Sequence, residues 1–130
     1  DAESLRGIPL FSSLDSTVLA DIAGRFALET VAVGRTLIFE GDPGDKFYVI
    51  VHGRVAITRR DERGIEHSLA VQEDGDFFGE IALLRPVPRV ATVTTISPTI
   101  LLSLSRNQFL DVVGAHPELL ETIPTGRYSS

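Results

Sequence analysis

The 130-residue chain has no cysteine, no methionine and no tryptophan. Without cysteine, a disulfide scaffold, a thiolate zinc site and a thiol nucleophile are all excluded by count. Long apolar runs are missing too: stretches such as Tyr48-Val49-Ile50-Val51 fall far short of the roughly 18 residues that cross a bilayer. Positive charge is the scarcer sign. Twelve basic residues against 18 acidic ones leave a net charge of −6, which argues against a protein whose main task is to grip DNA or RNA, and direct nucleic-acid contact is not expected. Eleven of the 12 basic residues are arginine, a bias that a GC-rich bacterial genome produces as readily as a physical need. The start at Asp1 and the lack of methionine lead to the expectation of a segment of a longer, cytoplasmic polypeptide, with a regulatory role and no membrane span of its own.

What is present is a core. An apolar fraction of 43% supports one domain over 1–130. Asp15 is placed to cap a helix whose apolar residues Val18, Leu19, Ile22, Ala23 and Phe26 recur at helical spacing, with Leu14 as a staple, so 1–27 reads as an N-terminal helical segment. From 28 to 104 the texture changes to short alternating or β-branched runs: 30–33, 36–39, 47–51, 54–58, 68–71, 91–96 and 99–104. Turn chemistry separates them, including Gly41-Asp42-Pro43-Gly44-Asp45, His52-Gly53, Asp61-Glu62-Arg63-Gly64 and Glu73-Asp74-Gly75-Asp76. Many short strands at close spacing predict a mainly β sandwich or jelly-roll barrel. Ser105 to Gln108 reads as a capping box, with Phe109, Val112 and Val113 buried and Gly114 as the stop. A further helix follows Pro117, so C-terminal helices occupy 105–123 and 124–130 is a patternless tail.

One stretch breaks the strand pattern, from Phe78 to Val93. Gly79 lets another group approach the main chain closely, and Glu80-Ile81-Ala82-Leu83-Leu84 are suited to a single helical turn whose first N–H groups attract an anion. Pro86 and Pro88 then stiffen the loop that presents Arg89. Phe78-Gly79-Glu80-Ile81-Ala82-Leu83 followed by Pro88-Arg89-Val90-Ala91-Thr92-Val93 resembles the phosphate-binding cassette of cyclic nucleotide-binding domains. The upstream runs Gly41 to Ile50 and Gly53-Arg54-Val55 are similar to the glycine-punctuated strands before that cassette in cAMP-dependent protein kinase regulatory subunits and bacterial catabolite-activator-like sensors. The resemblance covers nearly the whole chain and implies an eight-stranded jelly-roll β-barrel with an N-terminal helix and C-terminal helices.

The resemblance also implies roles. Arg89 pairs with the cyclic phosphate, Glu80 accepts from the ribose 2′-hydroxyl, and the amides of Gly79, Glu80, Ile81 and Ala82 complete the cradle, with Phe78, Val90 and Ala91 flanking it. Asp45 matches the carboxylate that braces the arginine, and Ile57 and Leu69 match positions that wall the base. The chemistry agrees: a planar guanidinium meets two exocyclic oxygens bidentately where lysine offers a point charge. At position 90, where cGMP-preferring relatives often carry threonine or serine, this chain has Val90, which cannot accept from a guanine amine and so favours cAMP. Leu119, Leu120 and Tyr128 are the candidates to cap the base. Glu40, Asp42 and Asp45 lack a calcium-loop pattern, and His52, His67 and His116 are scattered, so no metal and no cofactor are expected. The expectation is a non-enzymatic sensor whose ligand is cAMP and whose partner is an attached effector domain. Two alternatives stand beside it: a degenerate module kept for protein contacts, and, less favoured, a jelly-roll enzyme.

Overall fold

The computed structural model describes residues 5–79 and 88–122. A single 3₁₀ turn, Pro9–Phe11, leads into helix α1, Ser16–Ala23. The Asp15 carboxylate accepts the Val18 N–H at 3.0 Å and closes its first turn, as the sequence predicts. Eight strands follow: β1 Ala27–Val31, β2 Thr36–Ile38, β3 Lys46–His52, β4 Arg54–Arg60, β5 Glu66–Glu73, β6 Phe77–Phe78, β7 Thr92–Thr95 and β8 Thr99–Ser105. Helix α2, Arg106–Ala115, and the short α3, Leu119–Thr122, complete the described chain. No helix among the described residues is long and apolar enough to cross a membrane.

The strands form two four-stranded antiparallel sheets, ordered β1-β8-β3-β6 and β2-β7-β4-β5. The jelly roll is therefore two facing sheets and not a closed cylinder. β3 explains how they are held. Its residues Phe47 to Ile50 are all buried because both of its faces are covered. Phe47 and Val49 point outward into a cluster with Leu19, Ile22, Phe109 and Val112 of the helices. Tyr48 and Ile50 point inward to meet Val55, Ile57, Val93 and Leu101 between the sheets. Only glycine serves at the β3–β4 link: Gly53 has φ +123°, and a Cβ there would lie 2.6 Å from Thr99 Oγ1.

Three expectations are corrected. The first strand begins at Ala27 and ends at Val31, because its register with β8 runs from Ala27↔Ser103 to Val31↔Thr99 and Gly34 then turns the chain. The two-residue β6, paired through Tyr48↔Phe78 and Val49↔Phe77, is too short to leave an alternating pattern. Gly114 does not stop α2, which runs on to Ala115 and ends where the His116 N–H donates to Val112 O at 2.8 Å. The Ser105 cap does form, accepting from Gln108 N at 3.3 Å. An unforeseen tie joins the two ends of the chain: His116 Nε2 donates to Asp21 Oδ2 at 2.7 Å, and this bond holds the Asp21 carboxyl below its usual range.

Candidate functional site

The cassette opens on β6. Phe78 is fully buried and stacks on Tyr48, with ring centroids 5.0 Å apart and planes 19° from parallel. Burial, together with the nearby Glu29 and Asp45 charges, pushes the Tyr48 phenol up to about 12, against a smaller opposing pull from Arg89. The next residue, Gly79, is buried with φ +94°. A Cβ at that position would sit 2.8 Å from Lys46 O and 3.1 Å from Arg89 Nη1, so two other groups occupy the space a side chain would need. The sequence argument for a close approach at Gly79 holds, and the groups that approach are the protein's own arginine and the β3 main chain.

Arg89 is 3% exposed. Its Nη1 donates to Gly79 O at 2.7 Å and its Nη2 to Lys46 O at 2.6 Å. A guanidinium is planar and its donors are rigidly spaced, so two such anchors, one on β3 and one just after β6, fix its orientation. The Asp45 carboxylate lies 3.9 Å from Nη2 and its side chain is 87% exposed. The main-chain carbonyls, and not this carboxylate, make the shorter contacts. No sequence signal marks a carbonyl as a partner, so the role of Lys46 was invisible from composition or spacing.

The backbone around Arg89 is equally tied. Arg89 N donates to Asp42 O at 2.7 Å and Gly41 N donates to Arg89 O at 2.8 Å. The same 41–45 turn reaches the C-terminal helix: Arg106 N donates to Asp45 O at 2.9 Å and Arg106 Nη1 to Gly44 O at 3.2 Å. One turn thus links the arginine loop to the first residue of α2.

The remaining candidates separate. Ile57 and Ala91 are fully buried between the sheets, and Val90 is half-buried beside them. Leu69 is 39% exposed and lines an open groove of about 620 Å³ at the β4–β5 hairpin with Arg59 and His67. Leu119, a candidate cap for the base, is instead buried in the outer cluster with Phe109 and Val112. Glu80, Ile81, Ala82, Tyr128 and the side chain of Leu120 lie outside the described residues. The three histidines each find an aspartate: His52 with Asp74, His67 with Asp61 and His116 with Asp21.

The family model for the cyclic nucleotide-binding domain matches residues 28–116. The chain belongs to that family. The domain is 30% identical over 121 residues to a CRP-like cAMP-activated global transcriptional regulator of Mycobacterium tuberculosis, a match covering 93% of this chain and 54% of the regulator. It is 34% identical to the cAMP-dependent protein kinase regulatory subunit of Yarrowia lipolytica, over 85% of this chain and 28% of the subunit. Among solved structures, the regulatory subunit of a cAMP-independent protein kinase A from Trypanosoma brucei superposes with a TM-score of 0.83 at 27% identity, covering 92% of this chain and 44% of that one. The chain thus spans about half the length of the bacterial regulator and less of the kinase subunits. The first two relatives are named as regulators of transcription and of a kinase, and the third shows that the same fold also serves a protein described as independent of cAMP.

Proposed function

We propose that this domain is a sensor that binds cAMP in preference to cGMP and passes its occupancy to an attached effector through the C-terminal helices. The observation that carries the reading is the Arg89 guanidinium, buried and oriented by the Gly79 and Lys46 carbonyls. An anion receptor whose donors are already aimed loses little ordering entropy on binding a singly charged cyclic phosphate. Glu80 is assigned the ribose hydroxyl, and the amides of residues 79–82 the rest of the cradle. Val90 supports the choice of base: a guanine amine buried against valine forfeits its hydrogen bond at about 1–3 kcal/mol. The 41–45 turn supports the transmission, since it is bonded both to Arg89 and to Arg106 at the start of α2. Any shift of the arginine on binding is felt at that helix.

Calorimetric titration of nucleotide-free protein with cAMP and cGMP in parallel tests this. Dissociation constants at about the micromolar level or below for cAMP, and higher for cGMP, are expected. Equal constants would remove the preference. Silence toward both would favour a second reading, a module kept for protein contacts.

A further inference from the structure

Resting on the cyclic-nucleotide reading, we propose that Arg59 is the residue that reads the base, and that it recognises a purine by its six-oxo group and N7. Val55 and Ile57 of β4 point inward and are fully buried, so Arg59, two residues on, shares their face. The pairing with β7 runs Ile57↔Val93 and Thr58↔Thr92. Continued by one residue, it sets Arg59 opposite Ala91, one strand spacing of about 5 Å away and two residues from the guanidinium assigned to the phosphate.

On the other side, a register shift between Ile57 and Thr58 leaves Leu69 as the extra residue of β5 and pairs Arg59 with His67. Arg59, His67 and Leu69 therefore converge on one concave surface, and all three line the same groove of about 620 Å³. Leu69 is the base-walling candidate, which places Arg59 at the edge of whatever ring rests on it.

The neighbours of Arg59 are engaged elsewhere. Asp61 accepts from Arg63 N at 2.8 Å, from Ile65 N at 3.0 Å and from His67 Nε2 at 2.7 Å. Arg60 Nη1 donates to Gly64 O at 3.0 Å. The Arg59 guanidinium has no hydrogen-bond or ion-pair partner among the described residues. It is a fork of donors on the concave face with nothing to donate to. Guanine and hypoxanthine offer two adjacent acceptors, O6 and N7, that match such a fork, whereas adenine puts an amino donor in place of one of them. Val90 and Arg59 thus act on different edges of the ring: valine penalises the two-amino group that guanine alone carries, and arginine rewards the six-oxo group that guanine shares with hypoxanthine.

Inosine 3′,5′-cyclic monophosphate separates the two effects, because it has the oxo group and lacks the two-amino group. Calorimetry on the wild-type chain and on Arg59→Ala and Arg59→Gln, each with the cyclic monophosphates of adenosine, guanosine and inosine, reads both. Arg59→Ala should weaken the inosine nucleotide about tenfold more than it weakens cAMP. Arg59→Gln should tilt selectivity further toward cAMP, since an amide pairs with adenine at N6 and N7. An unchanged inosine-to-adenosine ratio in Arg59→Ala would overturn the proposal, as would an equal loss for all three nucleotides. If the wild-type chain binds none of them, the cyclic-nucleotide reading itself fails, and the assignment of Arg59 with it.

Discussion

Arg89 and Arg59, the arginines assigned in the proposals above to the phosphate and to the base, differ in nearly every physical respect. Arg89 is 3% exposed and clamped by two carbonyls, while Arg59 is exposed and its guanidinium has no partner among the described residues. The clamp is made of main-chain carbonyls, and the missing side chain of Gly79 leaves Arg89 and Lys46 room to meet there. The open end is made of side chains on a hairpin with a register shift, where identity can change without disturbing the fold. On the proposed reading, affinity rests on the preorganised arginine, and the choice of base is divided between Val90 beside it and Arg59 on the hairpin.

The contrast can be broken most sharply at the clamped end. Arg89→Ala should cost about 2–5 kcal/mol of cyclic-nucleotide binding, the range for truncating one side of a buried charged contact, and near-wild-type calorimetric affinity would contradict the phosphate assignment. Gly79→Ala comes next. The left-handed backbone at φ +94° and the approach of Lys46 O within 2.8 Å of the new Cβ should lower unfolding stability by about 1–3 kcal/mol, read from denaturant midpoints, and should weaken binding through displacement of Arg89. An alanine variant with unchanged midpoint and affinity would show that the clamp is looser than the distances imply.

The smallest effect concerns Tyr48, whose phenol titrates near 12 in the fold against an ordinary value of 10.0. Because the folded pKa is the higher one, the fold prefers the protonated phenol. This contribution is complete below about pH 10 and is lost as pH rises toward the folded value. The denaturation midpoint should therefore fall on the alkaline side, and Tyr48→Phe should flatten that fall. An equally steep decline in the phenylalanine variant would place its origin elsewhere.

What could be read from the sequence depended on how local the cause is. The Asp15 and Ser105 caps act within three residues, and both form. Arg89 and Gly79 stand in a compact motif of fixed spacing, which made the family legible. The carbonyl of Lys46 was not, because every residue has one and only the fold brings this one to Arg89 across 43 positions. Arg59 was missed for a related reason. The face a strand residue occupies depends on register, and the shift at Leu69 that brings His67 opposite Arg59 has no compositional mark. Of the three cap candidates, Leu119 is equally apolar whether it covers a ligand or packs beside α2, and the outer cluster takes it.

The stacking of Tyr48 on Phe78 has an optical consequence. With no tryptophan and only two tyrosines in the chain, intrinsic ultraviolet emission arises from two phenols, and one of them lies face to face with the first residue of the cassette. On the cyclic-nucleotide reading proposed above, the domain carries its own fluorophore against the cassette, and no dye or engineered reporter is needed to watch it bind.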